Sequence, residues 1–143
     1  MLFIGLDDTD NLESRGTGHL ARHIAMALSA DYRVLGVTRH QLLVDPRVCY
    51  TKHNSSKAII LGADGEMEPE ALAQRIQLLM VDHYQPGSDP GLCVAHVVPD
   101  AIKEFGRRAQ REVLTQDEAW MLAAAHGLLL LGLGGDEGGI IGA

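Results

Sequence analysis

Three things are scarce in this chain: basic residues, cysteine and long apolar runs. Its 12 Lys and Arg stand against 19 Asp and Glu, and the formal charge of −7 argues against a free-standing nucleic-acid binder, which needs a basic face. The 2 cysteines, Cys49 and Cys93, are too few and too far apart for a disulfide framework or a zinc ribbon. Reduced thiols fit a cytoplasmic location. The longest apolar stretch, Leu128 to Leu133, is too short to cross a bilayer, so no membrane partner is expected.

The length favours one domain. A chain of 143 residues has the commonest size of a single domain, and no repeat or linker interrupts it. We therefore expect one domain over residues 1–143. The sequence stops at Ile141-Gly142-Ala143, where a helix is expected to follow, which leaves a truncated C-terminus as an open alternative.

The hydrophobic pattern predicts an α/β protein of the α+β sandwich kind. Apolar runs and helical spacing give a strand, a helix, two strands, a helix and a strand, the βαββαβ ferredoxin-like order, on a mixed sheet. Two more helices, a last strand and a glycine-rich loop follow. The helices either cover one face of the sheet or flank both. The predicted strands span 2–6, 33–44, 57–61, 92–98 and 128–133; the predicted helices span 17–29, 68–80, 102–113 and 115–127, and a turn occupies 62–65.

The most informative segment is Ile4-Gly5-Leu6-Asp7-Asp8-Thr9-Asp10, in which an apolar run delivers three carboxylates within four residues. Like charges this close are unfavourable unless a cation lies among them. Ligands bind off the carboxyl ends of strands in open α/β sheets, and Mg²⁺ takes one or two carboxylates together with substrate phosphates. The pattern predicts a magnesium site formed by Asp7, Asp8 and Asp10. The alternative is an acidic surface turn.

Thr17 is the second candidate, because it lies between two glycines at the start of a predicted helix. Gly16 and Gly18 let the backbone approach a phosphate, and the helix offers free N–H groups to an anion. The Thr17 hydroxyl has three possible functions there: to coordinate magnesium, to contact a phosphate or to accept a phosphoryl group. The alternative, which the frequency of threonine caps favours, is that Thr17 only caps the helix.

Two further segments carry polar chemistry. The glycine-rich end, residues 132–142, has the physical logic of a phosphate-cradling loop, although a frayed tail has the same composition. The segment 45–57 is the densest basic and polar stretch and suits an anionic substrate, with a solvated loop as the alternative. Its polar residues are Arg47, Lys52, His53, Asn54, Ser55, Ser56 and Lys57. Both cysteines are predicted to be buried small apolar residues.

Several segments, in this order, resemble a known family. They are the first motif above, then Gly16-Thr17-Gly18-His19-Leu20-Ala21, then Asp45-Pro46-Arg47-Val48, and finally Gly139-Ile140-Ile141-Gly142-Ala143. Together they resemble the archaeal agmatidine synthetases that modify a minor isoleucine tRNA, whose first domain is an ATP-dependent kinase-like module. The resemblance implies that Asp7, Asp8 and Asp10 bind Mg²⁺ and orient ATP phosphates, that Gly138 and Gly139 contact the nucleotide, and that Thr17 is an autophosphorylated threonine.

The expected function is therefore a Mg²⁺-dependent ATP-binding domain with phosphoryl-transfer activity, kinase-like or ATPase, and related to the tRNA-modifying ligases. In this hypothesis Asp7, Asp8 and Thr17 are catalytic, while Gly16, Gly18 and Lys52 contribute to nucleotide binding. The family's tRNA-binding regions have no counterpart in the chain, so tRNA is expected as a partner only with additional domains or chains; a homodimer stays open. The alternatives are a non-catalytic nucleotide-sensing or partner-binding domain, or a metal-dependent phosphohydrolase.

Overall fold

The computed structural model describes residues 1–62 and 68–143, so residues 63–65 of the predicted turn lie outside the described part. In that part, five strands, four α-helices and a short 3₁₀ helix follow one another in the predicted order. They are β1 (Leu2–Asp7), α1 (Thr17–Leu28), β2 (Val34–Gln41), β3 (Ser55–Leu61), α2 (Pro69–Asp82), β4 (Gly91–Ala95), α3 (Asp100–Ala109), α4 (Gln116–His126), β5 (Leu129–Gly132) and the 3₁₀ helix (Gly138–Ile141).

One sheet organises the fold, with the strand order β2-β3-β1-β4-β5. The predicted ferredoxin-like order and the α+β class are confirmed. The sheet is antiparallel at each of its four pairings, whereas a mixed sheet was expected. The reason is the insertion of strands: the α1 crossover makes β1 and β2 parallel, but β3 lies between them, and β1 in turn separates β3 from β4.

The main core lies between the sheet and the helices α1 and α2. Alternate residues of β1, namely Leu2, Ile4 and Leu6, are fully buried on this face. They pack in one cluster with apolar residues at helical spacing, including Ile24 of α1 and Ile76 of α2. Each such side chain contributes roughly 1.5–3 kcal/mol when it is fully buried, so this layer holds β1, and with it the residues that follow Leu6, in a fixed position.

The opposite face of the sheet is covered by α3 and the C-terminal segment, so the helices flank both faces. Between this face and α3 lies an apolar cavity of about 480 Å³, lined by Phe3 and Ile60 of the sheet and by Ile102 and Phe105 of α3. None of the helices in the described part is both long enough and apolar enough to span a membrane.

The element ends follow local signals. Thr115 and Glu118 form the predicted capping box of α4, and Gly127 ends that helix at a φ of 62°. β4 stops at Ala95 rather than 98, ahead of Pro99, which is the N-cap of α3. α3 stops at Ala109 rather than 113, where the Ala109 carbonyl accepts from the Leu43 N–H instead of continuing the helix.

Candidate functional site

A cleft of about 240 Å³ lies at the C-terminal end of β1 and is built from segments that are far apart in sequence. The acidic segment after β1 forms one wall, the segment between β2 and β3 forms another, and the glycine-rich end closes the third. Its polar lining includes Asp7, Asp8, Asp10, Thr17, Arg47, Thr51, His53, Asp89, Asp136 and Gly138. The structure therefore brings together most of the residues that the sequence singled out.

Asp7 is the last residue of β1 and is half-buried in the lining of the cleft. Burial raises the pKa of its carboxyl to about 7; the Asp8 N–H lowers that pKa, the charges of Asp8 and Asp10 raise it further, and Lys57 lowers it. The carboxyl lies against the backbone of Gly142, where a Cβ would collide with Asp7 Oδ2. Asp7 thus links the strand end to the C-terminal segment.

Asp8 lies at a φ of 48°, a left-handed conformation that aspartate tolerates better than most residues. The pKa of Asp8 is raised to about 6, first by burial and then by the charges of Asp89, Asp10 and Asp136. Three carboxylates from three separate segments thus act on it. This crowding is the strongest electrostatic feature of the cleft.

Asp10 is held by two threonine hydroxyls. Thr17 Oγ1 donates to Asp10 Oδ1 at 3.3 Å, and Thr51 Oγ1 donates to Asp10 Oδ2 at 3.2 Å. The Thr9 N–H in turn donates to Thr17 Oγ1 at 3.3 Å. These bonds tie the acidic segment, the start of α1 and the segment before β3 into one polar network.

The helix-cap interpretation of Thr17 is wrong. The N-cap of α1 is Gly16, at a φ of 90°, and no side chain caps this helix. Glycine adopts that φ without steric cost, so the chain turns into the helix one residue earlier and Thr17 becomes its first residue. Thr17 is 5% exposed, and its hydroxyl points to Asp10 instead of the helix backbone.

The tail interpretation of the glycine-rich end is also wrong. Residues Gly138–Ile141 form a 3₁₀ helix, and Ile140 is 2% exposed. Asp89 anchors the loop before it: its side chain accepts from the Asp136 N–H at 2.9 Å, and its carbonyl accepts from the Gly139 N–H at 2.8 Å. The loop is thereby fixed beside the acidic segment, and Gly138 lines the cleft.

The segment between β2 and β3 is only partly a solvated loop. Arg47 is exposed and pairs with Asp45 at 2.8 Å, and that pairing holds the pKa of Asp45 well below its usual range. Residues 54–57, in contrast, are buried, and the Asn54 side chain donates to the Leu43 carbonyl. The end of the segment is therefore part of the folded core. Cys49 is exposed at the cleft, which corrects the expectation that it is buried.

Some predicted site residues lie elsewhere. Lys52 is exposed, and within the described residues the cleft lining does not include it. Gly16 and Gly18 lie at the start of α1 behind the lining, and a Cβ on Gly16 would come within 3.4 Å of Asp10 Oδ2. Gly139 packs on backbone: a Cβ there would come within 2.5 Å of the Asp89 carbonyl and 2.8 Å of the Asp7 carbonyl.

Sequence reasoning missed Asp89 and Asp136 as site residues. Each stands in a turn beside a strand, Asp89 just before β4 and Asp136 just after β5. Since β4 is antiparallel to β1, its start lies beside the end of β1, with Gly91 opposite Asp7. The antiparallel pairings of β4 with β1 and with β5 bring both residues to the cleft, and these pairings became known only with the sheet topology.

The cleft suits a cation but does not form a complete cage for one. Among the residues that the structure describes, no group of three His, Cys, Asp or Glu side chains is arranged as a metal site. Mg²⁺ does not need one, because it commonly takes one or two carboxylates and completes its shell with phosphate and water. The raised pKa values of Asp7 and Asp8 fit such an open site.

Fold and cleft together define a ferredoxin-like α+β domain with a carboxylate-rich site at the end of its central strand. The chain matches TiaS in its complex with an isoleucine tRNA and ATP with a TM-score of 0.83 at 21% identity, and a tRNA fluorescent labelling enzyme with a TM-score of 0.82 at 22% identity. Apo TiaS, a tRNA agmatidine synthetase, gives a TM-score of 0.80 at 20% identity.

These matches confirm the predicted resemblance at the level of the fold. Each covers 99% of this chain and 34% of the other, so the chain spans about a third of the length of the solved structures that it matches. No protein-family model and no curated protein sequence matches the chain.

Proposed function

We propose that this chain is a Mg²⁺-dependent ATP-binding domain with phosphoryl-transfer activity, related to the tRNA-modifying enzymes whose fold it shares. The observation that carries the proposal is the convergence of Asp8, Asp10, Thr17 and Gly138 on one cleft. The matched TiaS structures include complexes with ATP and with AMPCPP, which supports ATP as the nucleotide. In this proposal, tRNA binds only with the help of further domains or chains.

In this proposal the carboxylates hold the metal and the backbone loops contact the phosphates. Asp8 and Asp10, with Asp7 behind them, would bind Mg²⁺, which supplies charge neutralisation for the phosphates when it is bound. The loop around Gly138, fixed by Asp89, would contact the phosphate oxygens. Lys52 is not among the described residues that line this cleft, so we assign the cationic side of the site to Arg47 and His53, which do line it.

Thr17 is the proposed phosphoryl acceptor. Its hydroxyl already donates to Asp10 at 3.3 Å, so the carboxylate is placed to take the proton as Thr17 Oγ1 attacks the γ-phosphorus. The bond between Oγ1 and phosphorus forms, the bond from that phosphorus to the β,γ-bridging oxygen breaks, and ADP leaves. The phosphate on Thr17 then either stays as a modification or passes to a further acceptor or to water.

Binding and transfer are tested with one set of variants. We expect calorimetry to detect MgATP binding by the parent, and Asp8→Asn to weaken it about tenfold or more because a metal ligand is lost. Asp31→Asn is the matched control, since Asp31 is an exposed carboxylate paired with Arg75 away from the cleft. Absence of MgATP binding by the parent, or unchanged binding by Asp8→Asn, would refute the proposed function.

Phosphoryl transfer to the protein is measured by incubating each variant with ATP labelled at the γ-phosphate. The parent and Thr38→Val, in which a distant hydroxyl is removed from β2, are expected to become labelled, while Thr17→Val stays unlabelled. Binding without label in the parent would favour a nucleotide-sensing domain. Release of phosphate from simple esters without nucleotide preference would favour a phosphohydrolase.

A further inference from the structure

Ser55, the first residue of β3, is a buried serine with an unusual hydrogen-bond environment. It is 7% exposed and lines the cleft. Its Oγ accepts from Lys57 Nζ at 2.9 Å and from Arg39 Nε at 3.1 Å. A hydroxyl has two acceptor positions and one donor proton, so both acceptor positions are filled by cations. Among the described residues, no group accepts the remaining proton.

Lys57 is a buried cation that contacts only neutral oxygens. It is 8% exposed, and its Nζ donates to the Ser55 carbonyl at 2.8 Å as well as to Ser55 Oγ. In the described part of the chain it forms no ion pair with a carboxylate, and burial lowers its pKa. The charges of Asp7 and Asp10 raise the pKa of Lys57, but burial outweighs them and the charges of Arg39 and Arg22 oppose them. Because a buried charge is costly until it is compensated, an anion bound closer to Lys57 is favoured.

The start of α1 leaves room for this lysine. A Cβ on Gly18 would come within 3.2 Å of Lys57 Cε and within 3.6 Å of Arg22 Nη1. The absence of a side chain at Gly18 therefore lets the lysine stem lie under the first turn of α1 and deliver its ammonium group to Ser55. The ammonium group of Lys57 thus polarises the Ser55 hydroxyl, which lines the cleft.

We propose that Ser55 is a phosphate-binding residue of the cleft, whose hydroxyl donates to a phosphate oxygen of the bound nucleotide while Lys57 and Arg39 act as positioning residues. The inference rests on the proposed nucleotide site and adds to it. On the acidic side of the cleft, formed by residues 7–10, a polyphosphate can bind only when a cation lies between it and the carboxylates. On the opposite side, the Ser55 hydroxyl is a hydrogen-bond donor that two cations, Lys57 and Arg39, polarise. A phosphate bound between these two sides would be neutralised by the metal ion on one side and stabilised by the polarised Ser55 hydroxyl on the other.

The matched pair Ser55→Ala and Ser56→Ala tests this assignment. Ser56 is equally buried, at 5% exposure, but lines the apolar cavity on the opposite face of the sheet. We expect Ser55→Ala to weaken binding of MgATP and of magnesium tripolyphosphate about tenfold or more, which is the value of one hydrogen bond to a charged group. Ser56→Ala should bind like the parent, and Ser55→Thr, which retains a hydroxyl, should recover most of the affinity.

The outcomes separate this inference from the proposed function. If the parent binds MgATP and a folded Ser55→Ala binds equally well, the Ser55 assignment is overturned and the nucleotide site stands. If the parent does not bind, both fail. Should Ser55→Ala fail to fold, Arg39→Gln replaces it, because Arg39 is exposed. That variant is expected to weaken binding about threefold at low salt, and unchanged affinity there would overturn the assignment.

Discussion

At the scale of single residues, the ionised carboxylates of the acidic cluster, Asp7, Asp8 and Asp10, destabilise the folded state. Asp7 and Asp8 have pKa values raised to about 7 and about 6, and burial is the first cause for both. Carboxylates placed for folding alone normally have partners that lower their pKa. Here the charges of Asp10, Asp89 and Asp136 add to the burial of Asp8 instead. The sequence could predict the crowding of residues 7–10, but not that Asp89 and Asp136 join it.

Asp7→Asn is predicted to stabilise the metal-free protein at alkaline pH. The folded state keeps the Asp7 proton up to about pH 7, whereas the unfolded chain loses it near the ordinary aspartate pKa of 3.8. Between these values the folded state binds more protons, so stability falls as the pH rises. In EDTA at pH 8 we expect the variant to melt about 3–6 °C above the parent, and the difference to shrink towards pH 4.

The control for this experiment is Asp31→Asn, which removes an exposed carboxylate from the α1–α2 side of the molecule. It should leave the pH dependence of the melting temperature unchanged. A parent and an Asp7→Asn variant with parallel melting curves from pH 5 to pH 8 would contradict the predicted burial of the charge.

At the scale of elements, the cleft depends on how closely the C-terminal segment packs on the sheet. A Cβ on Gly5 of β1 would collide with the backbone of Ala143, and a Cβ on Gly91 of β4 would collide with the backbone of Gly139. Two strands thus use glycines to let another backbone approach. The sequence analysis attended to the glycines of the loop itself. The complementary glycines in the strands became meaningful only when the packing was known.

Gly91→Ala is predicted to destabilise the domain by about 1–3 kcal/mol, because the added methyl group forces two backbone segments apart. Urea denaturation measures this, and MgATP binding should weaken in parallel as Gly138 moves. Gly36→Ala in β2 is the matched control: apart from its chain neighbours, no atom of the described residues lies within 4 Å of its Cβ position, so we expect a change within about 0.5 kcal/mol. Equal stability of both variants would disprove the close approach.

At the scale of the whole molecule, the site is assembled from the end of β1, the start of α1, the segment before β3 and the C-terminal loop. The antiparallel order places the start of β4 and the end of β5 beside the end of β1, since Gly91 lies opposite both Asp7 and Gly132. A ligand in the cleft therefore contacts segments from both ends of the chain.

The reactivity of the Cys49 thiol can show whether a ligand occupies the cleft. It is exposed and lines the cleft, whereas burial raises the pKa of Cys93 to about 11. At pH 8 we expect a thiol reagent to modify Cys49 rapidly and Cys93 slowly, because the thiolate is the reactive form. Saturating MgATP should slow the rapid phase, and Cys49→Ser should abolish it. A rapid phase that MgATP leaves unchanged would place the nucleotide elsewhere.

The sequence by itself determined the order of elements, the acidic segment after β1, the capping box at Thr115 and the resemblance to a fold that the structure confirms. These are local or periodic signals, which depend on residues close in sequence. Tertiary structure alone decided that Asp89 and Asp136 face Asp8, that Lys57 is buried behind Ser55, and that Gly16 rather than Thr17 caps α1. Such features depend on which distant backbones meet, and pairing across a sheet is set by the packing of the whole domain.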